Sequence, residues 1–305
     1  MTNFRSGFAC IVGRPNVGKS TLINLMVGEK ISIISKQPQT TRHTIRGIVH
    51  KNDGQIVLVD TPGIHKPKTL LGSRLNELVK QTWSEVDVVV FCVPADQKIG
   101  PGDRFIVQEI NEQIRKPKIG VLTKIDLVNP NLIVERLIEL EKVSKDFGFD
   151  WDEIIPISSE SEENVDKLSN LIIKYLPEGP ELYPSEIFTE EPIETLVAEF
   201  IREAALEDLR EELPHSLAVT VEKIENAEDR PIDKPLMKIF ANIYVERESQ
   251  KGIIIGQKGS KLKEIGSLAR KQIETLVGTK VYLDLQVKVA PDWQTDLKEL
   301  TKLGF

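Results

Sequence analysis

Residues 13–20 read GRPNVGKS, a glycine-rich stretch closed by a lysine and a hydroxyl. Gly13, Gly18, Lys19 and Ser20 satisfy the spacing G-x-x-x-x-G-K-[ST]. Glycines let a chain curl with its N–H groups turned inward, which suits phosphate oxygens. Lys19 can reach terminal phosphates, and the Ser20 hydroxyl suits Mg²⁺. Asn16, Val17 and Thr21 complete the candidate nucleotide contacts of this loop. The apolar run FACIV precedes it and TLINLMVG follows. That places it between a strand and a helix whose N-terminus adds its dipole. The loop alone does not choose ATP over GTP, or hydrolysis over kinase chemistry.

Three further clusters narrow the choice. DTPG, Asp60 to Gly63, ends the apolar run IVLVD. An acid there can hold Mg²⁺ through water, and the Gly63 N–H can face a γ-phosphate. TKID, Thr123 to Asp126, ends the run IGVL. Guanine presents two donors side by side, so one carboxylate, Asp126, accepts both. Adenine would leave that charge unpaired. Lys124 can lay its aliphatic stem along the base. SSE follows IIPI, where Ser158 and Ser159 can close a base pocket. Between cradle and DTPG lies the polar stretch ISKQPQTTRHTIRG, where Thr40 or Thr41 can swing onto Mg²⁺ when a γ-phosphate is present.

The elements that must position these residues follow from patterning. Strands are expected at 8–12, 56–60, 86–93, 119–122 and 154–158, with helices between. Continuous apolar strands alternating with helices give an α/β domain with a mostly parallel sheet covered on both faces. Pro and Gly cluster in LPEGPELYPSE, so a first domain over 1–176 and a linker over 177–190 are expected. Residues 191–305 read as an α+β unit: helix, two strands, the segment GIIIGQKGS, a helix over about 260–276, and the strand KVYLDLQVKVA.

That second unit carries its own chemistry. GQKG, Gly256 to Gly259 with Gln257 and Lys258 inside, fits the GxxG loop that clamps a nucleic-acid backbone. Lys251, Lys261 and Lys263 surround it and can neutralise phosphates. Ile253–Ile255 and Ile265 offer an apolar floor for bases. Charge is distributed accordingly: residues 231–305 hold 13 Lys/Arg against 9 Asp/Glu, the rest of the chain 27 against 38. An acidic body with a basic tail confines nucleic-acid contact to one end. Cys10 and Cys92 each lie in apolar runs and read as buried free thiols. No signal peptide or run of 18 apolar residues occurs, so a cytoplasmic protein is expected, with a peripheral inner-membrane contact still open.

The ordered set GRPNVGKS, QTTR, DTPG, TKID and SSE resembles the TrmE-Era-EngA-like GTPases, and with DTPGIHKP, EELPHS, QKGIIIGQKGSKLKEIG and VKVAPDW it resembles the Era family in particular. The resemblance covers nearly the whole chain. It implies a P-loop GTPase domain followed by a type II KH domain. It also implies GTP and GDP with Mg²⁺ as ligands, a monomer, and binding to the 3′ end of 16S ribosomal RNA during assembly of the 30S ribosomal subunit. By the same resemblance Lys19, Thr41 and Gly63 carry the catalytic step. Ser20, Thr41, Asp60 and Asn16 serve metal, the last by holding K⁺ beside the phosphates. Two departures stand out. Thr123 replaces the usual Asn, implying a weaker tether between base loop and cradle, and Ser158–Ser159 replaces Ser-Ala. Ile64 stands where Ras-like enzymes have a water-orienting glutamine, implying slow intrinsic hydrolysis.

Three rival readings remain. A P-loop ATP enzyme or kinase needs acid–base residues, yet His43, His50, His65 and His215 show no ligand spacing and TKID disfavours adenine. An RNA-binding module that uses GTP as a structural ligand would bind GTP without turnover. A tandem GTPase would need a second cradle, and the chain has one.

Overall fold

The computed structural model describes residues 4–35, 42, 44–62, 69–207, 216–227 and 235–305. The chain forms two compact units: Met1–Ser32, Thr41–Pro67 and Arg74–Glu190 make the first, and Ile33–Thr40, Lys68–Ser73 and Glu191–Phe305 the second.

The first unit is built on strands β1 (Arg5–Val12), β2 (Ile45–Lys51), β3 (Gly54–Asp60), β4 (Val88–Pro94), β5 (Lys118–Thr123) and β6 (Glu153–Pro156), in the order β2-β3-β1-β4-β5-β6. All neighbours are parallel except β2 and β3. Every residue of β3 and β4 is buried, which is why their sequences are unbroken apolar runs. Helices α1 (Lys19–Val27), α2 (Leu70–Glu85), α3 (Pro101–Gln113), α4 (Pro130–Asp146) and α5 (Val165–Tyr175) follow the strands. The core between β4, α3 and α4 is filled by Phe91, Ile106, Val107, Leu140 and Trp151, with Phe91 stacked on Trp151 at 5.5 Å between ring centroids. Both cysteines are free and buried, and burial pushes the Cys92 thiol up to about 12.

Two expectations are corrected here. The expected strands omit one: the antiparallel strand β2 opens at Ile45, within the last residues of ISKQPQTTRHTIRG. The last strand of the sheet ends at Pro156, so Ser158 lies in the loop beyond it.

Residues 177–190 are held to the first unit along their length. Gly179 N donates to Phe4 O at 3.1 Å, and Ser6 Oγ to Pro180 O at 2.6 Å. The Gln55 amide accepts from Leu182 N and Tyr183 N and donates to Tyr183 O. Ile48 N donates to Phe188 O at 2.9 Å, and Gly47 bridges Thr189.

The second unit contains α6 (Ile193–Leu206), β7 (Ala218–Asn226), β8 (Leu236–Val245), α7 (Glu248–Ile255), α8 (Ser260–Val277), β9 (Lys280–Val289) and α9 (Leu297–Lys302). Its sheet runs β7-β8-β9, antiparallel then parallel. Phe200 and Ile201 of α6, Ile239 and Ile243 of β8, Ile254 of α7 and Ile265 and Ile273 of α8 fill its core. Helix α7 corrects the sequence reading, which places no helix between the second strand and the GxxG loop. No helix among the described residues is long and apolar enough to cross a membrane.

Candidate functional site

Strand register gathers the chemistry at one edge of the first sheet. Ile11 pairs with Asp60, and Pro94 with Thr123, so Gly13 and Asp126 follow the carboxyl ends of β1 and β5, and Asp60 closes that of β3, all on one side of the sheet. The 13–20 loop leaves β1 and enters α1 there. Gly13 and Gly18 bound it, each with positive φ, 154° and 98°. Asn16 takes φ 64°, a conformation asparagine tolerates better than most residues.

The loop is trussed by side chains that hold its carbonyls. Lys19 Nζ donates to Gly13 O at 3.0 Å and Arg14 O at 2.9 Å. Lys124 Nζ donates to Asn16 O at 2.8 Å. Thr123 Oγ1 lies 2.6 Å from Val17 O and 3.2 Å from Val93 O. With these carbonyls held, the amides between them are left to converge on an anion. An ammonium has three donors, and two of Lys19's are taken by loop carbonyls. Burial lowers the Lys19 pKa, partly opposed by the Asp60 carboxylate.

Ser20 Oγ donates to Asp60 Oδ2 at 3.0 Å, and Asp60 is fully buried. A hydroxyl and a carboxylate are hard oxygen donors, and Mg²⁺ characteristically takes one or two such groups together with substrate phosphates. These residues therefore fit Mg²⁺. Among the described residues no group of three or more His, Cys, Asp or Glu could hold a metal ion by itself. Thr40, Thr41, Gly63 and Ile64 lie outside the described residues.

The base loop is equally ordered. Lys124 adopts φ 58° before a short 3-10 turn that carries Asp126 at its centre. Ser158 Oγ donates to Asp126 Oδ1 at 2.6 Å and accepts from Ser161 N at 3.1 Å. Ser158 is buried while Asp126 is exposed, and the serine hydroxyl holds one oxygen of the carboxylate. Ser159 is half-buried beside it. Thr123, despite its shorter side chain, reaches the cradle directly. Sequence reasoning missed Arg14, Asp103 and Gln97: Arg14 Nε donates to Asp103 Oδ1 at 2.6 Å and Nη2 to Gln97 Oε1 at 3.3 Å. Nothing local in the sequence signals a pairing across 89 positions.

In the second unit, Gly256–Gly259 joins α7 to α8. Gly256 has φ 72° and ψ 178°, a region open to glycine alone, and a Cβ there would meet Lys261 Cβ at 2.7 Å. Gln257, Lys258 and Lys263 are exposed, and Lys251 and Lys261 half-buried. The apolar floor is smaller than expected. Ile254 and Ile265 belong to the core, and only Ile253, 55% exposed, stands out beside the loop.

Comparison with known proteins follows the same division. Residues 8–124 match the family described as 50S ribosome-binding GTPase, and residues 212–294 match the KH domain. GTPase Era of Streptomyces coelicolor is 58% identical over 304 residues, covering 100% of this chain and 96% of that one. GTPase Era of Mycolicibacterium smegmatis is 57% identical over the full length of both. The crystal structure of Era in complex with MgGDPNP and nucleotides 1506–1542 of 16S ribosomal RNA superposes with a TM-score of 0.93 at 40% identity over 99% of each chain. A variant of Aquifex aeolicus Era bound to GDP·AlF4⁻ gives 0.92, also at 40% identity and 99% of each chain. A GTPase domain with its phosphate loop and a KH domain with its GxxG loop, in one chain alike from end to end to these relatives, make it a member of the Era family of GTPases.

Proposed function

We propose that this protein hydrolyses GTP and, in step with that hydrolysis, binds the 3′ end of 16S ribosomal RNA during maturation of the 30S subunit, acting as a cytosolic monomer. The observation that carries this most is the end-to-end likeness to an Era solved with MgGDPNP and a 16S fragment. Lys19 directs its remaining N–H at the terminal phosphates, and Asp126, braced by Ser158, accepts the two donors of guanine. Ser20 and Asp60, with Thr41 by family resemblance, would hold Mg²⁺, which neutralises phosphate charge when bound. Gly63 would meet the γ-phosphate. Ile64 can neither accept nor donate a proton, so intrinsic turnover is slow and RNA or the ribosomal particle supplies the acceleration. Lys251, Gln257, Lys258, Lys261 and Lys263 would line the RNA backbone around Gly256 and Gly259. K⁺ held by Asn16 would add positive charge beside the phosphates, and equal turnover in K⁺ and Na⁺ buffers removes that element.

The deciding experiment is GTP hydrolysis by the whole chain in K⁺ buffer, with and without a short RNA matching the 16S 3′ end. Faster turnover with RNA, lost in a Gly256→Asp/Gly259→Asp variant, supports the proposal. Tight GTP binding with no turnover under either condition would favour a module that uses GTP structurally.

A further inference from the structure

Arg14 and Asp103 carry no role in the site as described so far, yet they form its most enclosed ion pair. The Asp103 side chain is wholly buried and that of Arg14 28% exposed. Asp103 occupies the third position of α3. Its Oδ2 accepts the Gly100 N–H at 2.8 Å, closing the helix N-terminus, and its Oδ1 accepts Arg14 Nε at 2.6 Å. Gln97 Oε1 takes a second guanidinium hydrogen, from Nη2. Gly102 makes room for the arginine stem: a Cβ there would lie 3.0 Å from Arg14 Cδ. The segment 97–103 thus holds the guanidinium by two hydrogen bonds and packs against the stem at Gly102. The main-chain carbonyl of the same Arg14 is one of the two that hold Lys19 Nζ.

We propose that Asp103, acting through Arg14, is a positioning residue for the phosphate cradle, setting how tightly guanine nucleotides are held by their phosphates and leaving base recognition alone. The proposal rests on the guanine-nucleotide reading of the site. A buried carboxylate that loses its cationic partner becomes an uncompensated charge, so each member of the pair holds the other in place. Arg14 then has one available geometry, and its peptide carbonyl one direction. The lysine acceptor at Gly13 O has no comparable side-chain anchor, so Arg14 is where α3 can fix the lysine. Thr123 meets the loop at Val17 O, and Ser158 holds Asp126, so the base side is braced through different residues.

The test uses the full chain as wild type, Asp103→Asn, Arg14→Met and the double variant, with affinity measured for GDP, for a non-hydrolysable GTP analogue and, by competition, for guanosine. Each single variant is expected to weaken GDP and the analogue about ten-fold, with guanosine changed by less than about two-fold, and the double variant no worse than the poorer single. Equal loss for all three ligands would mean general damage and would overturn the proposal, as would unchanged affinities in folded variants or additive losses in the double. If Asp103→Asn melts below the assay temperature, Arg14→Met, which removes the partly exposed member and leaves the cap on Gly100 intact, carries the same comparison between guanosine and GDP. Wild type that binds neither GDP nor guanosine would instead refute the guanine-nucleotide reading.

Discussion

Replacing Thr123 by valine isolates the tether between base loop and cradle. Valine keeps the branched shape at a site only 2% exposed, so packing is retained and a single hydroxyl is lost. That hydroxyl has one hydrogen and two carbonyls in reach, and the 2.6 Å approach to Val17 O marks the one it serves. Leaving a buried acceptor unmet costs about 1–3 kcal/mol. Part of that falls on folding. The rest falls on the cradle, because Val17 O adjoins the amides that face the phosphates, and half of the total, about 0.5–1.5 kcal/mol, corresponds to a loss of roughly two- to twelve-fold in affinity. GDP and GTP should weaken together, since the tether touches no γ-phosphate. Discrimination against ATP should hold, because Asp126 is braced independently by Ser158. Thr123→Asn, with a longer arm and two N–H donors, should recover wild-type affinity or exceed it. Fluorescent-nucleotide titrations with parallel melting curves report both parts. A valine variant with lower Tm and unchanged nucleotide affinity would refute the tether's role at the site.

Other outcomes follow from the same geometry. Asp126→Asn should lose about 2–5 kcal/mol of GTP binding through mispaired donors and gain xanthosine triphosphate, which presents a carbonyl in place of the guanine amine; competition binding reads both. Lys19, its pKa lowered by burial, should impose opposite pH trends. Between its depressed pKa and the ordinary lysine range the unfolded chain holds more protons, so stability without nucleotide rises with pH while phosphate affinity falls. Melts with and without GDP at stepped pH should show both trends, and Lys19→Met should flatten them. Gly256→Ala forces a side chain into a glycine-only conformation and should cost about 1–3 kcal/mol along with RNA affinity. Gly252→Ala, with nothing within 4 Å of the added carbon, should leave RNA binding intact in a gel-shift assay.

The parallel core of the first unit was legible because β3 and β4 are buried on both faces and read as continuous apolar runs. Strand β2 was not, because IRGIVHK alternates with charged residues and carries a glycine. Gly47 is there for packing: a Cβ would meet Ile31 Cδ1 at 2.4 Å and Val27 Cγ2 at 2.6 Å. Helix α7 was hidden by its composition, since GIII has poor helix propensity and only Ile254 turns fully into the core. The phosphate loop and the TKID turn that carries Asp126 were legible because each is a local string. The Ser158–Asp126 hydrogen bond and the Arg14–Asp103 pair depend on which strand ends the sheet sets side by side, and no local spacing encodes that.

The chain from 177 to 190 does more than connect. β2 lies at the outer edge of the six-stranded sheet, and an open edge is a template for strands of other molecules. Phe188 and Thr189 occupy part of that edge, with Gln55 anchoring the approach. A fragment ending at 176, the natural place to cut by composition, would bare the edge and should self-associate, whereas one ending at 190 should stay monodisperse. The connecting segment thus doubles as a partial cover for an open sheet edge.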